Sequence, residues 1–169
     1  MAYSIDDEPG TFLTMDLDNN SYEKIKNHYE GVNGIGKIQT KMEMHCTIVD
    51  FWVPIFVPKE VNSEDYIIGH HSYKHRILNR KSGSKALLLT FYNYKLNELH
   101  NKILKDFDIT HKHAYFLQHL TISFDLNKSL KIENIPFPKF DIKLTEFSGS
   151  EGVDTSNLES ELDDMEWWN

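Results

Sequence analysis

Two short segments carry the residues best suited to chemistry. His45-Cys46-Thr47-Ile48 and His119-Leu120-Thr121-Ile122 share one pattern: a histidine, a spacer, a threonine and a β-branched aliphatic residue. Both sit in apolar runs that read as strands, from about Met42 to Phe51 and from Gln118 to Phe124. On a strand, alternate side chains share a face. His45 and Thr47 should therefore project together, with Cys46 and Ile48 behind them, and His119 should project with Thr121. Side by side, the two strands would offer one pocket two imidazoles and two hydroxyls. An imidazole with an ordinary pKa of about 6.5 gives or takes a proton near neutral pH. Threonine hydroxyls can donate to the non-bridging oxygens of a phosphate. The set suits acid–base cleavage of a phosphodiester. One His-x-Thr alone says little, because Thr is common in strands; the matched pair carries the weight.

The elements around these strands repeat. Gly10 to Leu17 reads as a strand, and Asp18-Asn19-Asn20-Ser21 supplies candidate helix caps. Tyr22, Ile25, Lys26 and Tyr29 follow at helical spacing, ending near Gly31. Lys85 to Tyr92 reads as a second buried strand, and Leu96, Leu99, His100, Ile103 and Leu104 mark a second helix. Thr11 precedes His45 by 34 positions and Leu87 precedes His119 by 32. Two β-α-β-containing lobes related by a pseudo-twofold would bring the two His-x-Thr strands to a central groove. Residues 65–78 read as one long strand forming a hairpin with 85–92 across Lys81-Ser82-Gly83-Ser84. Trp52 to Pro58 reads as an extended connection, and Lys139 to Leu144 as a last strand.

Length and charge narrow the partners. The chain has 169 residues and a net charge of −8, enough for one domain, expected over 1–147, and an acidic tail over 148–169. From Glu146 onward there are eight acidic residues and no Lys or Arg. Residues 1–145 hold all 18 Lys and Arg and the other 18 acidic residues. This neutral body lacks the basic patch of a duplex-binding protein, so no long nucleic acid is expected. A small anion in a local pocket fits. No apolar run approaches a membrane span, and the acidic start, Met1 to Glu8, does not read as a signal peptide. The single cysteine, Cys46, permits no internal disulfide or Cys-based zinc site; it reads as a core thiol. A cytoplasmic monomer is expected. His70-His71, His75, His111 and His113 invite a metal reading, but no matching acidic or thiol set accompanies them. No metal or cofactor is expected.

The chain resembles the 2H phosphoesterase superfamily, whose members carry two His-x-Thr/Ser motifs. Within it the chain is most similar to phage-encoded anti-CBASS nucleases. The similarity covers roughly residues 10 to 147. It runs through Gly10-Thr11-Phe12, the first His-x-Thr, Ser82-Gly83-Ser84-Lys85-Ala86-Leu87, Leu99-His100-Asn101 and His119 to Asp125. Phe12 stands where the family commonly has Tyr, and Leu78 where it can have Trp. Glu151-Gly152-Val153-Asp154 loosely matches a C-terminal carboxylate, and Trp167-Trp168 follow after an inserted acidic segment.

The resemblance implies an α+β fold with two lobes, the 2H phosphoesterase fold, and a metal-independent phosphodiesterase. Its substrates would be 3′–5′ cyclic di- or oligonucleotides, such as 3′,3′-cyclic GMP-AMP, made as alarm signals in bacterial immunity. His45 and His119 would be the acid–base pair, and Thr47 and Thr121 would hold phosphate oxygens. Phe12, Glu151, Trp167 and Trp168 would meet the bases. Two alternatives stay open: a 2′,3′-cyclic phosphodiesterase acting on RNA ends, and a protein that sequesters cyclic nucleotides without cutting them. Which histidine is acid and which is base is open too. If the ribose 2′-oxygen attacks, a substrate with 2′-deoxyribose at the scissile position should bind and stay intact. Rapid cleavage of that analogue in a chromatographic assay would mean that water attacks directly.

Overall fold

The alternation and helical spacing resolve, among the described residues, into an α+β fold with two α-helices packed against antiparallel sheets. The computed structural model describes residues 10–111 and 115–151. In chain order it has β1 (Thr11–Leu17), α1 (Asn19–Glu30), β2 (His45–Phe51), β3 (Phe56–Val57), β4 (Tyr66–Ile68) and β5 (Lys74–Asn79). Then come β6 (Lys85–Thr90), α2 (Tyr94–Asp106), β7 (His119–Ser123), β8 (Ile142–Phe147) and β9 (Ser150–Glu151). One sheet has the order β2-β1-β8-β4 and another β5-β6-β7; β3 and β9 form a two-stranded ribbon. No helix among the described residues is long and apolar enough to cross a membrane.

Both helices begin where the sequence supplies a side-chain acceptor. Asp18 accepts from the Ser21 N–H at 2.8 Å, and Asn93 from the Leu96 N–H at 3.0 Å. Each bond satisfies a backbone donor left open at a helix start. α1 buries Ser21, Tyr22, Ile25 and Tyr29, and α2 buries Leu96, Leu99, His100 and Ile103. These stripes join one core with Leu13, Met15 and Leu17 of β1, Leu87 and Leu89 of β6, and Leu120 and Ile122 of β7. Strand alternation sends the other residues of those strands to the opposite face.

Two expectations are corrected. The segment 65–78 is two strands in different sheets: β4 pairs with β8, and β5 pairs with β6. Between them His70–Ser72 forms a 3₁₀ turn. The Asp141 carboxylate accepts from the His70 backbone N–H and lies 2.6 Å from its ring Nδ1, while the Ser72 hydroxyl donates to Gly69 O. Those local bonds replace a ladder. The rings of His70 and His71 lie 4.2 Å apart. Asp141, engaged with His70, also precedes the last long strand, which starts at Ile142 rather than Lys139. β9, past the boundary expected at residue 147, pairs with β3.

One half-buried histidine ties the second sheet to α1. His75 Nε2 lies 2.7 Å from the Tyr29 hydroxyl, and its ring stacks on Phe137 with centroids 4.5 Å apart. Burial pushes its pKa down to about 4 from 6.5, with His28 adding to the fall. The unfolded chain then binds a proton that the fold refuses. Stability should be full above pH 6.5 and fall as pH drops towards 4. Urea unfolding midpoints should show that decline, and His75→Phe should make it shallower. Equal slopes in the two proteins would remove His75 as its cause.

Candidate active site

The two His-x-Thr segments lie on β2 and β7, each an edge strand of its sheet, and these strands run close together. The backbone N–H of His119 reaches the thiol of Cys46, a direct tie between them. Cys46 is fully buried in the core, and burial pushes its thiol up to about 12. Ile48, Leu120 and Ile122 are buried in the same core. Thr47, His119 and Thr121 are almost covered as well, yet belong to neither apolar cluster, and His45 is half-exposed.

The same irregularity occurs in both strands. In the β1–β2 pairing, Thr14 opposes Thr47 and Leu13 opposes Val49, leaving Ile48 as an extra residue. In the β6–β7 pairing, Leu88 opposes Thr121 and Leu87 opposes Ser123, leaving Ile122 extra. Each is a β-bulge placed immediately after the threonine, where it bends the strand and shifts its alternation. A bulge frees backbone groups that need other partners. His100 of α2 donates through Nδ1 to Ile48 O at 2.6 Å, and the Gln39 N–H donates to Ile122 O at 2.9 Å. Burial lowers the pKa of His100, although the bond to Ile48 opposes the fall. Gln39 is itself held by the Tyr22 hydroxyl, which donates to its carbonyl at 2.8 Å. So an element from each half secures the bulge of the other.

Both imidazoles are anchored through the same nitrogen. His45 Nδ1 lies 3.1 Å from Met42 O, and His119 Nδ1 lies 2.8 Å from Leu117 O. A carbonyl only accepts, so each Nδ1 carries a proton, and in the neutral form of either ring Nε2 carries the lone pair. The ring of Phe12 meets His45 edge-on, with centroids 5.5 Å apart. Phe12 is only 5 % exposed and packs with Leu78 and Leu88. It stands as an apolar wall beside His45. Glu151 joins β9 through its backbone, and its side chain lies outside the described residues, as do Trp167 and Trp168.

The rows that flank the two histidines differ. Asp16 lies directly across from His45, whereas Thr90 lies across from His119 and Lys74 across from Thr90. Burial raises the Asp16 carboxyl above its usual 3.8; Lys41 and His45 pull it down, and Glu146 adds to the rise. Sequence patterning gave no hint of Asp16, because only the register of β1 on β2 places it there. The other histidines have further partners, although the rings of His70 and His71, and of His100 and His111, are neighbours. His75 meets Tyr29, His70 meets Asp141, and His111 Nδ1 accepts from the Asp50 N–H at 3.2 Å. His113 lies outside the described residues. Among those residues no three His, Cys, Asp or Glu gather closely enough to hold a metal ion.

The family model described as Anti-CBASS protein Acb1 matches residues 9–159. No curated protein matches the chain.

The placement of Phe12 yields a direct test. Removing a packed ring should cost about 3 kcal/mol of stability and leave His45 without its apolar wall. Phe12→Ala should show that loss in urea unfolding. A loss under about 1 kcal/mol would mean the ring is not packed as described.

Proposed function

The chain belongs to the anti-CBASS protein Acb1 family, and from that premise we propose that it blocks CBASS defence by hydrolysing cyclic di- or oligonucleotide signals. The observation that carries this reading is the pairing of two identically built His-x-Thr strands at neighbouring sheet edges, each imidazole anchored through Nδ1. The internal repeat supports a 2H phosphoesterase type of fold, with substrate seated between the two sheets.

In this reaction one Nε2 removes the proton from a ribose 2′-hydroxyl. The 2′-oxygen attacks the adjacent phosphorus, and the bond from phosphorus to the 5′-oxygen breaks. The other histidine, entering as imidazolium, gives its Nε2 proton to that departing oxygen. The ring opens to a chain ending in a 2′,3′-cyclic phosphate, which water can then open to a 3′-phosphate. The hydroxyls of Thr47 and Thr121 donate to the non-bridging oxygens as charge builds there. The Nδ1 anchors keep each Nε2 aimed and reduce the reorganisation the reaction would need. These residues can supply both proton transfers without a metal. The enzyme would act as a monomer in the host cytoplasm.

The test is incubation with 3′,3′-cyclic GMP-AMP in excess EDTA, followed by chromatography of the products. Linear product with a 2′,3′-cyclic phosphate or a 3′-phosphate end is expected. His45→Ala and His119→Ala should each slow it at least ~10²-fold, with circular dichroism unchanged and smaller losses for Thr47→Ala and Thr121→Ala. Intact nucleotide retained on the protein would instead mean sequestration. Cleavage confined to RNA-end 2′,3′-cyclic phosphates would mean the RNA-end reaction. Activity lost in EDTA and restored by a divalent ion would refute the metal-independent route.

A further inference from the structure

The two halves of the site repeat in backbone but not in charge. Across from His45 stands the half-buried carboxylate of Asp16, and the two are neighbours on one face of adjacent antiparallel strands. Residues so placed have Cβ atoms about 5 Å apart. At the matching position in the other half stands Thr90, whose hydroxyl donates to Lys74 O at 3.3 Å. The next residue in that row is the cation Lys74. His119 is also 2 % exposed, whereas His45 is partly open to solvent.

A neighbouring carboxylate favours the charged imidazole, while burial disfavours it. The half-buried Asp16 in turn gains from a cation opposite, which would offset its own desolvation. Other charges that act on Asp16, the partner of His45, are Lys41, from the loop before β2, and Glu146, from a position in β8 skipped by the β1–β8 pairing. One opposes the effect of Asp16 and one reinforces it. On the second sheet Lys74 and Arg76 of β5 lie on the His119 side, and Arg80 beyond β5 stacks over Phe124. Lys74 and Arg76 each stand two strands from β7, about 10 Å at ordinary strand spacing. Asp16 and Glu146 thus favour a charged first imidazole and the cations of the second sheet disfavour a charged second one, while Lys41 opposes the first effect; the buried Asp50, paired with Phe12, is the other carboxylate on the His45 face of β2.

Building on the proposed reaction, we propose that Asp16 divides the labour between the two histidines: His45 gives its proton to the leaving 5′-oxygen, and His119 takes the proton from the 2′-hydroxyl. Asp16 acts through His45 as a positioning residue. Protons balance within one turnover. His119 ends as imidazolium and His45 as neutral imidazole, and exchange with solvent resets both.

Two measurements test this. In an NMR titration of the ligand-free protein, His45 should protonate at higher pH than His119. Asp16→Asn should lower the His45 midpoint by about one pH unit and leave His119 in place. The second uses adenosine 3′-(4-nitrophenyl phosphate), whose leaving group needs no proton but whose 2′-hydroxyl still needs a base. His45→Ala should cleave it within about tenfold of the wild-type rate, while His119→Ala should lose ~10²-fold or more. Asp16→Asn should be at least as stable as wild type at neutral pH, because a carboxyl raised by burial costs stability once ionised. A residue kept only for structure would show a loss. Midpoints in the reverse order, an unmoved His45 midpoint in Asp16→Asn, or rescue of His119→Ala in place of His45→Ala would overturn the assignment. If wild type cleaves neither the cyclic dinucleotide nor the ester, the reaction itself falls. The titration, which needs no turnover, still tells whether Asp16 tunes His45.

Discussion

Burial of Cys46, Ile48, Leu120 and Ile122 on one side of two neighbouring edge strands is what holds His45, Thr47, His119 and Thr121 on the other. Each buried aliphatic side chain contributes about 1.5–3 kcal/mol against exposure. A slip of one residue would exchange the two faces and put imidazoles where the core must be. The polar quartet thus needs little force of its own to keep its direction. Phe12, Leu78 and Leu88 add a small apolar cluster on the polar side, so His45 is walled as well as aimed.

What could be read from the sequence was what local rules govern. Period-two runs and capped helical stripes located β1, α1, β6, α2 and the two His-x-Thr strands, because each is fixed mainly by its own residues and its burial. The break at Gly69–Tyr73 was hidden because its cause, the Asp141 carboxylate, lies about seventy residues away. Asp16 was hidden for a related reason. An acidic residue in a strand looks like a solvated position until pairing puts it across from His45. Phe12 read equally as a packed residue or as a stacking platform, since the residues that cover it, Leu78 and Leu88, come from other strands. The repeat was visible as spacing; its bulges were not, because an extra residue in a strand leaves no mark in composition.

The halves are cross-tied more firmly than two stacked sheets need be. His100 of the second half reaches the bulge of the first, and Gln39 of the first reaches the bulge of the second. Each bond supplies a partner to a carbonyl that the bulge would otherwise leave short, and unsatisfied buried acceptors cost about 1–3 kcal/mol. Separating the sheets would orphan both at once. The relative placement of the two imidazoles is therefore coupled to the satisfaction of two backbone groups. Precise spacing of reacting groups can account for much of a barrier reduction.

The bulges at Ile48 and Ile122 also speak to how the chain arose. Regular strands and amphipathic helices are solutions that unrelated sequences reach independently, so their repetition says little about ancestry. An extra residue at the same place in both halves, directly after the same two polar positions, is a shared defect of the ladder. Copying hands down defects together with everything else. The matched irregularity is the mark expected of one segment that was doubled and then diverged, with Asp16 in one descendant and Thr90 in the other recording where the copies ceased to be alike.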